Sequence, residues 1–217
     1  MKKLWSFGGT NTEFGKDIRQ GFDTIQFGRH NVDYSNVEAF ISKVESHPTP
    51  DVISINMNPQ TAFHDLTKNY TTRHDISILT ELINTRFYFQ VRLIEWFFLN
   101  NTNKRVLFIT SQQPNMIFND VLEEDNYLYH RDGNLLLYRM SRALEHQLIH
   151  QQNSIEKNYK DDNIIMGVCV GSNFKGTSSY INKLMLTDTY KRNVFGLCQH
   201  AGHVSYPILI NDESFIT

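Results

Sequence analysis

Short apolar runs alternate with longer stretches in which apolar residues recur every three or four positions. The apolar runs predict six β-strands, at Lys3–Phe7, Thr24–Phe27, Val52–Ile55, Val106–Ile109, Ile164–Val170 and Ile208–Ile210. The amphipathic stretches predict helices at Thr12–Gln20, Tyr34–Val44, Ser77–Leu99, Asn134–Gln151 and Ser178–Asp188. Before the fourth of these helices, the polar segment Gln112–Gly133 is predicted to be an irregular insertion.

The alternation of strands and helices predicts an α/β fold of three layers. We expect a doubly wound, mostly parallel sheet with right-handed crossovers and helices on both faces. The chain has 217 residues, and because no linker or internal repeat divides it, we expect a single domain over 1–217. Its first strand leads through a turn from Gly9 to Gly15 into a helix, the arrangement that opens Rossmann-like dinucleotide-binding folds.

Composition and charge exclude several classes of partner. The net charge is −2 and the pI is about 6.5, so no broad basic surface indicates nucleic-acid binding. The longest apolar run, Leu93–Leu99, is interrupted by Glu95, and the N-terminal segment is too short for a signal peptide, so we expect no membrane association. Two cysteines give no disulfide framework, which favours a reducing, cytoplasmic location.

The usage of asparagine and alanine is unusual for such a fold. The chain contains 21 Asn and 4 Ala, as expected from an AT-rich coding sequence of the kind found in some bacteria and many of their viruses. If the protein is viral, an assembly role and a place in the virion become part of the functional hypothesis.

Several motifs, taken in order, resemble those of the short-chain dehydrogenase/reductase family over nearly the whole chain. Gly9-Thr10-Asn-Thr-Glu13-Phe14-Gly15 is similar to the family's glycine turn, with Glu13 in place of the middle glycine. Arg29 follows the second strand where the family meets the adenosine ribose, and an arginine there suits the 2′-phosphate of NADP(H). Asn56 resembles the asparagine that follows the next strand. The resemblance therefore implies these cofactor-binding residues: Gly9, Thr10, Glu13, Phe14, Gly15, Arg29 and Asn56.

The same resemblance implies four catalytic positions: Asn84, Ser111, Tyr138 and Arg142. In the family the tyrosine is the general acid/base. With a free pKa of about 10, it needs a nearby cation at neutral pH. Here Arg142 replaces the family's lysine, which keeps the charge and changes the geometry. Gly171-Ser172 also stands where the family has Pro-Gly.

Two functional hypotheses follow from this mixture of retained and altered motifs. In the first, the protein keeps the fold with degenerate motifs, binds no cofactor, and acts as a non-catalytic binding or structural protein. In the second, it is an active NADP(H)-dependent oxidoreductase that reduces a carbonyl or oxidises an alcohol. Glu13 bears on the choice, because a carboxylate at the turn crowds and repels a pyrophosphate.

Two histidine-containing patterns are candidate metal sites. Cys198, His200 and His203 form a Cys-x-His-x-x-His cluster, but the segment is loop-like and has no fourth ligand nearby, so we expect no metal there. His146 and His150 lie four residues apart on a helix, where a solvated or interface face is the expected interpretation.

The helix ending at Leu99 carries more apolar residues than one sheet face needs. Phe87, Val91, Ile94 and Phe98 form one stripe, and a second stripe follows on the next helix at Leu137, Met140, Leu144 and Leu148. Other large apolar residues, namely Phe89, Leu93, Trp96 and Phe97, lie off the first stripe. We therefore expect a homo-oligomer or a stable protein partner bound through the Phe87–Leu99 helix.

Overall fold

The computed structural model describes residues 1–9, 11–28, 30–57, 80, 83–99, 101–110, 133–169, 174–188, 194–196, 198–200, 203–205 and 208–209. Only the backbone is described for residues 86, 133–142, 169, 174–177 and 194–209 within these ranges.

The described elements alternate between strands and helices along the chain. In order they are β1 (Lys3–Phe7), α1 (Glu13–Arg19), β2 (Asp23–Phe27), α2 (Val37–Val44), β3 (Val52–Ile55), a π-helical turn (Asn84–Tyr88) that continues into α3 (Phe89–Leu99), β4 (Arg105–Thr110), α4 (Gly133–Ser154), α5 (Glu156–Lys160), β5 (Ile164–Cys169), α6 (Phe174–Thr187), β6 (Val194–Gly196), β7 (Cys198–His200), β8 (His203–Ser205) and β9 (Ile208–Leu209).

Seven of these strands form one sheet in the order β2-β1-β3-β4-β5-β6-β9. The first six are parallel to one another, and β9 pairs antiparallel with β6. Trp5 in β1 pairs with Ile25 on one side and with Ile53 on the other. The direction of winding reverses between β1 and β3, as it does in doubly wound sheets. The predicted fold class is confirmed.

Both faces of the central strands are buried, which explains why these strands are mostly apolar. Alternate residues of β1 enter different cores: Leu4 packs with Ile18 of α1 and Met185 of α6, whereas Phe7 packs with residues of α2, α3 and α4. The second core is rich in aromatic residues; the ring centroids of Phe7 and Phe40, for example, are 5.6 Å apart. Helices on both sides therefore complete the three predicted layers.

Short polar side chains set where the first two helices begin. The Thr12 hydroxyl accepts a hydrogen bond from the Gly15 N–H at 3.0 Å, and the Asn36 side chain accepts one from the Ala39 N–H at 3.1 Å. Both are N-cap interactions. The predicted start of α2 at Tyr34 is three residues early. The Asp33 carboxylate accepts the Ser35 N–H at 2.9 Å, and this local turn precedes the helix.

Some sequence expectations need correction. Helix α6 begins at Phe174, four residues before the predicted start, and β6 was not predicted. The segment holding Cys198 and His203 was expected to be a loop, but it forms the strands β7 and β8. Most of the predicted insertion Gln112–Gly133 lies outside the described residues. Among the described residues, no helix combines the length and apolar character that crossing a membrane requires.

Helix α3 buries most of its apolar residues inside the chain itself. Phe89, Leu93 and Phe97, which were expected to lie off the sheet-facing stripe, are fully buried. They are covered because α3 lies in the core formed with the sheet, α2 and α4. Trp96 is partly buried and stacks on Trp5, with ring centroids 5.8 Å apart. These residues therefore do not need a partner to cover them.

Candidate functional site

The turn after β1 is shaped by two glycines that lie against the end of β3. Gly8 has φ +75° and Gly9 has φ +60°, a backbone conformation that favours glycine. A Cβ atom on Gly8 would lie 2.1 Å from the Asn56 carbonyl oxygen, and one on Gly9 would lie 2.8 Å from the Asn56 side-chain nitrogen. The Asn56 N–H donates to the Phe7 carbonyl at 2.8 Å. The structure thus brings Gly9 and Asn56 together, as the cofactor prediction requires.

Gly15 is fixed by contact with the same turn. A Cβ atom at this position would lie 2.0 Å from the Gly9 carbonyl oxygen. Arg19 is a buried residue; its guanidinium donates to that oxygen at 3.4 Å, and burial lowers its pKa. Packing of α1 on the turn is therefore sufficient to explain Gly15. The role of Arg19 was missed from the sequence, where it was only the last charged residue of a short helix.

Glu13 is the first residue of α1, and its side chain is exposed. The Thr12 hydroxyl is the N-cap acceptor of α1, so the Glu13 carboxylate does not cap its own helix. Within the described part of the chain, no cationic group lies within ion-pair distance of it. The carboxylate is exposed rather than buried in the turn, and it places a negative charge at the start of α1, between Gly9 and Gly15 in the sequence. Phe14, next to it, is partly buried against the core of α1 and α6.

Two further residues were assigned to the cofactor from the sequence. Thr10 and Arg29 lie outside the described residues. Next to Arg29 in the sequence, the Asn31 side chain accepts the Gly28 N–H at 2.7 Å and donates to the Gln26 carbonyl at 2.9 Å.

Asn84 begins the π-helical turn that leads into α3. Its carbonyl accepts the N–H of Phe89, five residues on, as in a π-helix. Its side chain is partly buried, whereas the next residue, Thr85, is buried. Single π-turns within helices are rare and often occur at functional sites. Among the asparagines that the structure describes, this backbone feature distinguishes Asn84, which the sequence could not do.

Of the remaining catalytic candidates, Tyr138 and Arg142 are described by their backbone alone. Tyr138 and Arg142 lie four residues apart in α4, so they share one face of that helix. Ser111 lies outside the described residues but directly follows Thr110, the last residue of β4. The carboxyl ends of β1, β3 and β4 lie at one edge of the sheet, because these strands are parallel neighbours.

A buried polar cluster, which the sequence did not indicate, links α3, β4 and α4. Glu145 and Gln90 are fully buried, and the Gln90 amide donates to the Glu145 carboxylate at 3.2 Å. The Thr110 hydroxyl lies 3.4 Å from the other carboxylate oxygen and 3.1 Å from Nε2 of His146. One arrangement satisfies both contacts: the ring nitrogen donates to the hydroxyl, which donates to the carboxylate. His146 is therefore a partly buried member of this cluster.

Solved structures with the same fold cover most of this chain. A short-chain dehydrogenase family protein from Francisella tularensis is 11% identical, with a TM-score of 0.58, over 88% of this chain and 92% of that one. A Brucella ovis oxidoreductase of the short-chain dehydrogenase/reductase family, in complex with a partially ordered NAD, is 12% identical, with a TM-score of 0.61, over 92% and 99%.

A third structure, the 3-alpha-hydroxysteroid dehydrogenase from Pseudomonas sp. B-0831 complexed with NADH, is 10% identical, with a TM-score of 0.60, over 92% and 95%. No protein-family model matches this chain, and no curated protein sequence matches it either. With its parallel sheet, glycine turn and helix order, the chain has the fold of the short-chain dehydrogenases/reductases.

Proposed function

We propose that this protein keeps the short-chain dehydrogenase/reductase fold without its dinucleotide-dependent chemistry, and acts as a binding or structural protein. The observation that carries the proposal is the exposed carboxylate of Glu13 on the first residue of α1. In the dinucleotide-binding arrangement, this is where the backbone and the helix N-terminus meet a pyrophosphate. The glycines suit a close approach of backbone to ligand, but the charge of Glu13 does not fit a doubly anionic group.

The substitution of lysine by Arg142 supports the same proposal. A guanidinium keeps a positive charge one helical turn from Tyr138, yet it is planar, bulkier and always charged. It cannot reproduce the compact ammonium that the family places there. Two positions that contact cofactor or reacting groups in the family are therefore altered, whereas the packing positions of the fold are retained.

The proposal is tested by titrating NADPH and NADH into the purified protein by calorimetry. We expect no micromolar binding by the wild type. If the Glu13 charge is the obstacle, Glu13→Gln should raise the affinity by about tenfold, or about 1.4 kcal/mol. Glu13→Gly should raise it at least as much, because it also removes the side chain.

Glu45→Gln is the matched control, since Glu45 is another exposed carboxylate and caps the far end of α2. It should leave the titration unchanged. Micromolar binding by the wild type would overturn the proposal. Equal gains in the Glu13 and Glu45 variants would show that net charge, rather than the position of Glu13, governs affinity.

The alternative is an active NADP(H)-dependent oxidoreductase, for which the π-helical turn at Asn84 and the shared helix face of Tyr138 and Arg142 are the favouring observations. On this alternative, Tyr138→Phe abolishes turnover of carbonyl or alcohol substrates while leaving the circular dichroism spectrum unchanged. A turnover that survives this substitution would remove Tyr138 from the mechanism.

The biological setting belongs to the proposal as well. A cytoplasmic location, or a place in a virion if the gene is viral, rests on the composition of the chain. Immunodetection in fractionated cells and in purified particles distinguishes the two.

A further inference from the structure

A pocket opens between α2, α3 and the region where α4 passes into α5. Its volume is about 440 Å³, within the range of about 300–1,000 Å³ that small-molecule sites occupy. Leu99, which lines it, ends α3 shortly before β4 begins at Arg105. The pocket therefore lies toward the amino-terminal edge of the sheet, whereas the glycine turn follows the carboxyl end of β1. A ligand site here is separate from the glycine turn.

The apolar part of the pocket is built around Trp96. One face of this indole stacks on Trp5, with an angle of 9° between the two rings, so its opposite face points away from Trp5. Trp96 remains partly exposed and lines the pocket together with Leu99 and Ile155, which is 43% exposed. An aromatic face with aliphatic neighbours suits the flat, apolar body of a small ligand.

The charged residues that line the pocket carry an excess of negative charge. They are three carboxylates and two cations: Glu38, Glu45, Glu95, Arg92 and Lys157. Arg92 is shared between two of the carboxylates, because its Nε lies 2.8 Å from Glu38 and its Nη1 lies 2.7 Å from Glu95. The Lys157 ammonium donates to the Leu99 carbonyl. Glu45 is exposed, and within the described residues it belongs to no ion pair.

Gln152 adds a hydrogen-bond donor to the pocket wall. Although it is only 7% exposed, it lines the pocket. Its side-chain oxygen accepts the Asn158 amide at 3.2 Å, which directs its NH₂ group away from Asn158. Among the residues that the structure describes, none accepts a hydrogen bond from this NH₂ group. A largely buried donor without an acceptor is unfavourable, so a ligand oxygen placed here gains a hydrogen bond.

We propose that this pocket binds a small organic cation, in which an ammonium group is carried on an aromatic body with a hydrogen-bond acceptor. A cation within about 6 Å of an indole ring centroid is attracted to the ring face, and the excess of carboxylates stabilises the same charge. Arg92 and Lys157 are already engaged by carboxylates and by a carbonyl, which disfavours an anionic ligand.

The test uses the full-length protein and three probes that share a phenol ring. Tyramine is cationic, para-ethylphenol is neutral and para-hydroxyphenylacetate is anionic. Titration by calorimetry and heteronuclear NMR should give a dissociation constant for tyramine in the millimolar range or tighter, with the anion bound at least about fivefold more weakly. The chain contains two tryptophans. The indole N–H signal of Trp96 should shift, and that of Trp5, which is 1% exposed, should move less.

Two variants separate the contributions of charge and ring. Glu45→Gln should weaken tyramine binding about threefold and leave para-ethylphenol binding unchanged, because it removes only the charge. Trp96→Leu should weaken the binding of both probes by removing the ring face. Circular dichroism of both variants checks that the fold is intact. Since Glu45 lies far from the glycine turn, its variant should not change the response to NADPH, which keeps this site distinguishable from the proposed loss of dinucleotide binding.

Glu156→Gln is the matched control, because Glu156 is exposed, begins α5 and does not line the pocket. It should leave the affinity for tyramine unchanged. Absence of tyramine binding by the wild type, or an anion bound as tightly as tyramine, would overturn the proposal. Equal losses in Glu156→Gln and Glu45→Gln would also overturn it, by assigning the effect to net charge rather than to the pocket.

Discussion

The Gln90 amide donates a hydrogen bond to the Glu145 carboxylate at 3.2 Å, with both side chains fully buried between α3 and α4. A buried carboxylate is costly unless donors satisfy it. Gln90 and the Thr110 hydroxyl supply two such donors from different elements. The pair thus ties two helices together next to the carboxyl end of β4.

We expect Gln90→Leu to destabilise the fold, because it removes a donor from a buried carboxylate. A hydrogen bond to a charged group contributes about 1.5–3 kcal/mol, and Glu145→Leu should cost a similar amount by leaving Gln90 unpaired. The double variant should cost less than the sum of the two by about 1 kcal/mol or more. Urea unfolding of all four proteins measures this coupling, and strict additivity would contradict a direct interaction.

A second prediction concerns the contact between α1 and the glycine turn. Gly15→Ala should lower the free energy of unfolding by about 3 kcal/mol, because the new methyl group meets the Gly9 carbonyl oxygen at 2.0 Å. Gly21→Ala is the control. Gly21 has φ +83°, but the nearest atom to an added Cβ is 3.8 Å away, so only backbone strain of about 1–2 kcal/mol applies.

Thermal or urea unfolding of both glycine variants gives the comparison. A smaller loss for Gly15→Ala than for Gly21→Ala would show that the turn moves away from α1 without cost. The turn could then change its conformation when a ligand binds, whereas the close contact between Gly15 and the Gly9 carbonyl indicates a fixed turn.

The sheet could be predicted from the sequence because strands that are buried on both faces consist mainly of apolar residues. Val106–Ile109 is entirely apolar and Val52–Ile55 is apolar except for Ser54, and such a run without regular alternation distinguishes a covered parallel strand from an exposed one. At the edge of the sheet, β9 was predicted at Ile208–Ile210 and is found at Ile208–Leu209. Strand β6 was not predicted, because its three residues are too few for a periodicity to be recognised.

The orientation of α4 could not be predicted, because its buried face carries polar residues. The predicted stripe contained Leu144, which is exposed, whereas the buried positions are Glu145, Leu148, Ile149 and Gln152. These four have helical spacing, but hydrophobicity alone assigns the two polar residues to solvent. Their partners, Gln90 for Glu145 and Asn158 for Gln152, are distant or on another helix. Only tertiary structure reveals such pairs.

The third prediction is a pH dependence from His150. Burial lowers the pKa of this histidine from its ordinary value of 6.5, since desolvation disfavours the charged ring. The unfolded chain then binds more protons than the folded one just below pH 6.5, so stability falls as the pH is lowered through that region. His150→Gln should reduce the loss of stability between about pH 7.5 and pH 5.5.

Urea unfolding at the two pH values measures the effect, and His47→Gln serves as the control because His47 is exposed. An unchanged pH dependence in His150→Gln would mean that other groups account for the loss of stability. A larger loss in His150→Gln than in the wild type would reverse the sign of the assignment.

The last prediction concerns self-association. The core already covers Phe89, Leu93 and Phe97, so the apolar surface left for a partner is smaller than the sequence suggested. Phe87 of the π-helical turn is 36% exposed and Leu144 of α4 is 40% exposed. The π-helical turn packs against α4. We propose that this helix pair is the face on which two copies, or this chain and a protein partner, associate.

Light scattering and sedimentation at micromolar concentration should show that the wild type is a dimer or a larger species. The double variant Phe87→Glu, Leu144→Glu should be a monomer, because two carboxylates buried at an interface are strongly unfavourable. Leu186→Glu is the matched control: Leu186 is 37% exposed but belongs to α6, on the opposite face of the sheet. That variant should stay associated. A monomeric wild type would leave only a heterologous partner for this face, and dissociation caused by Leu186→Glu alone would place the interface on α6 instead.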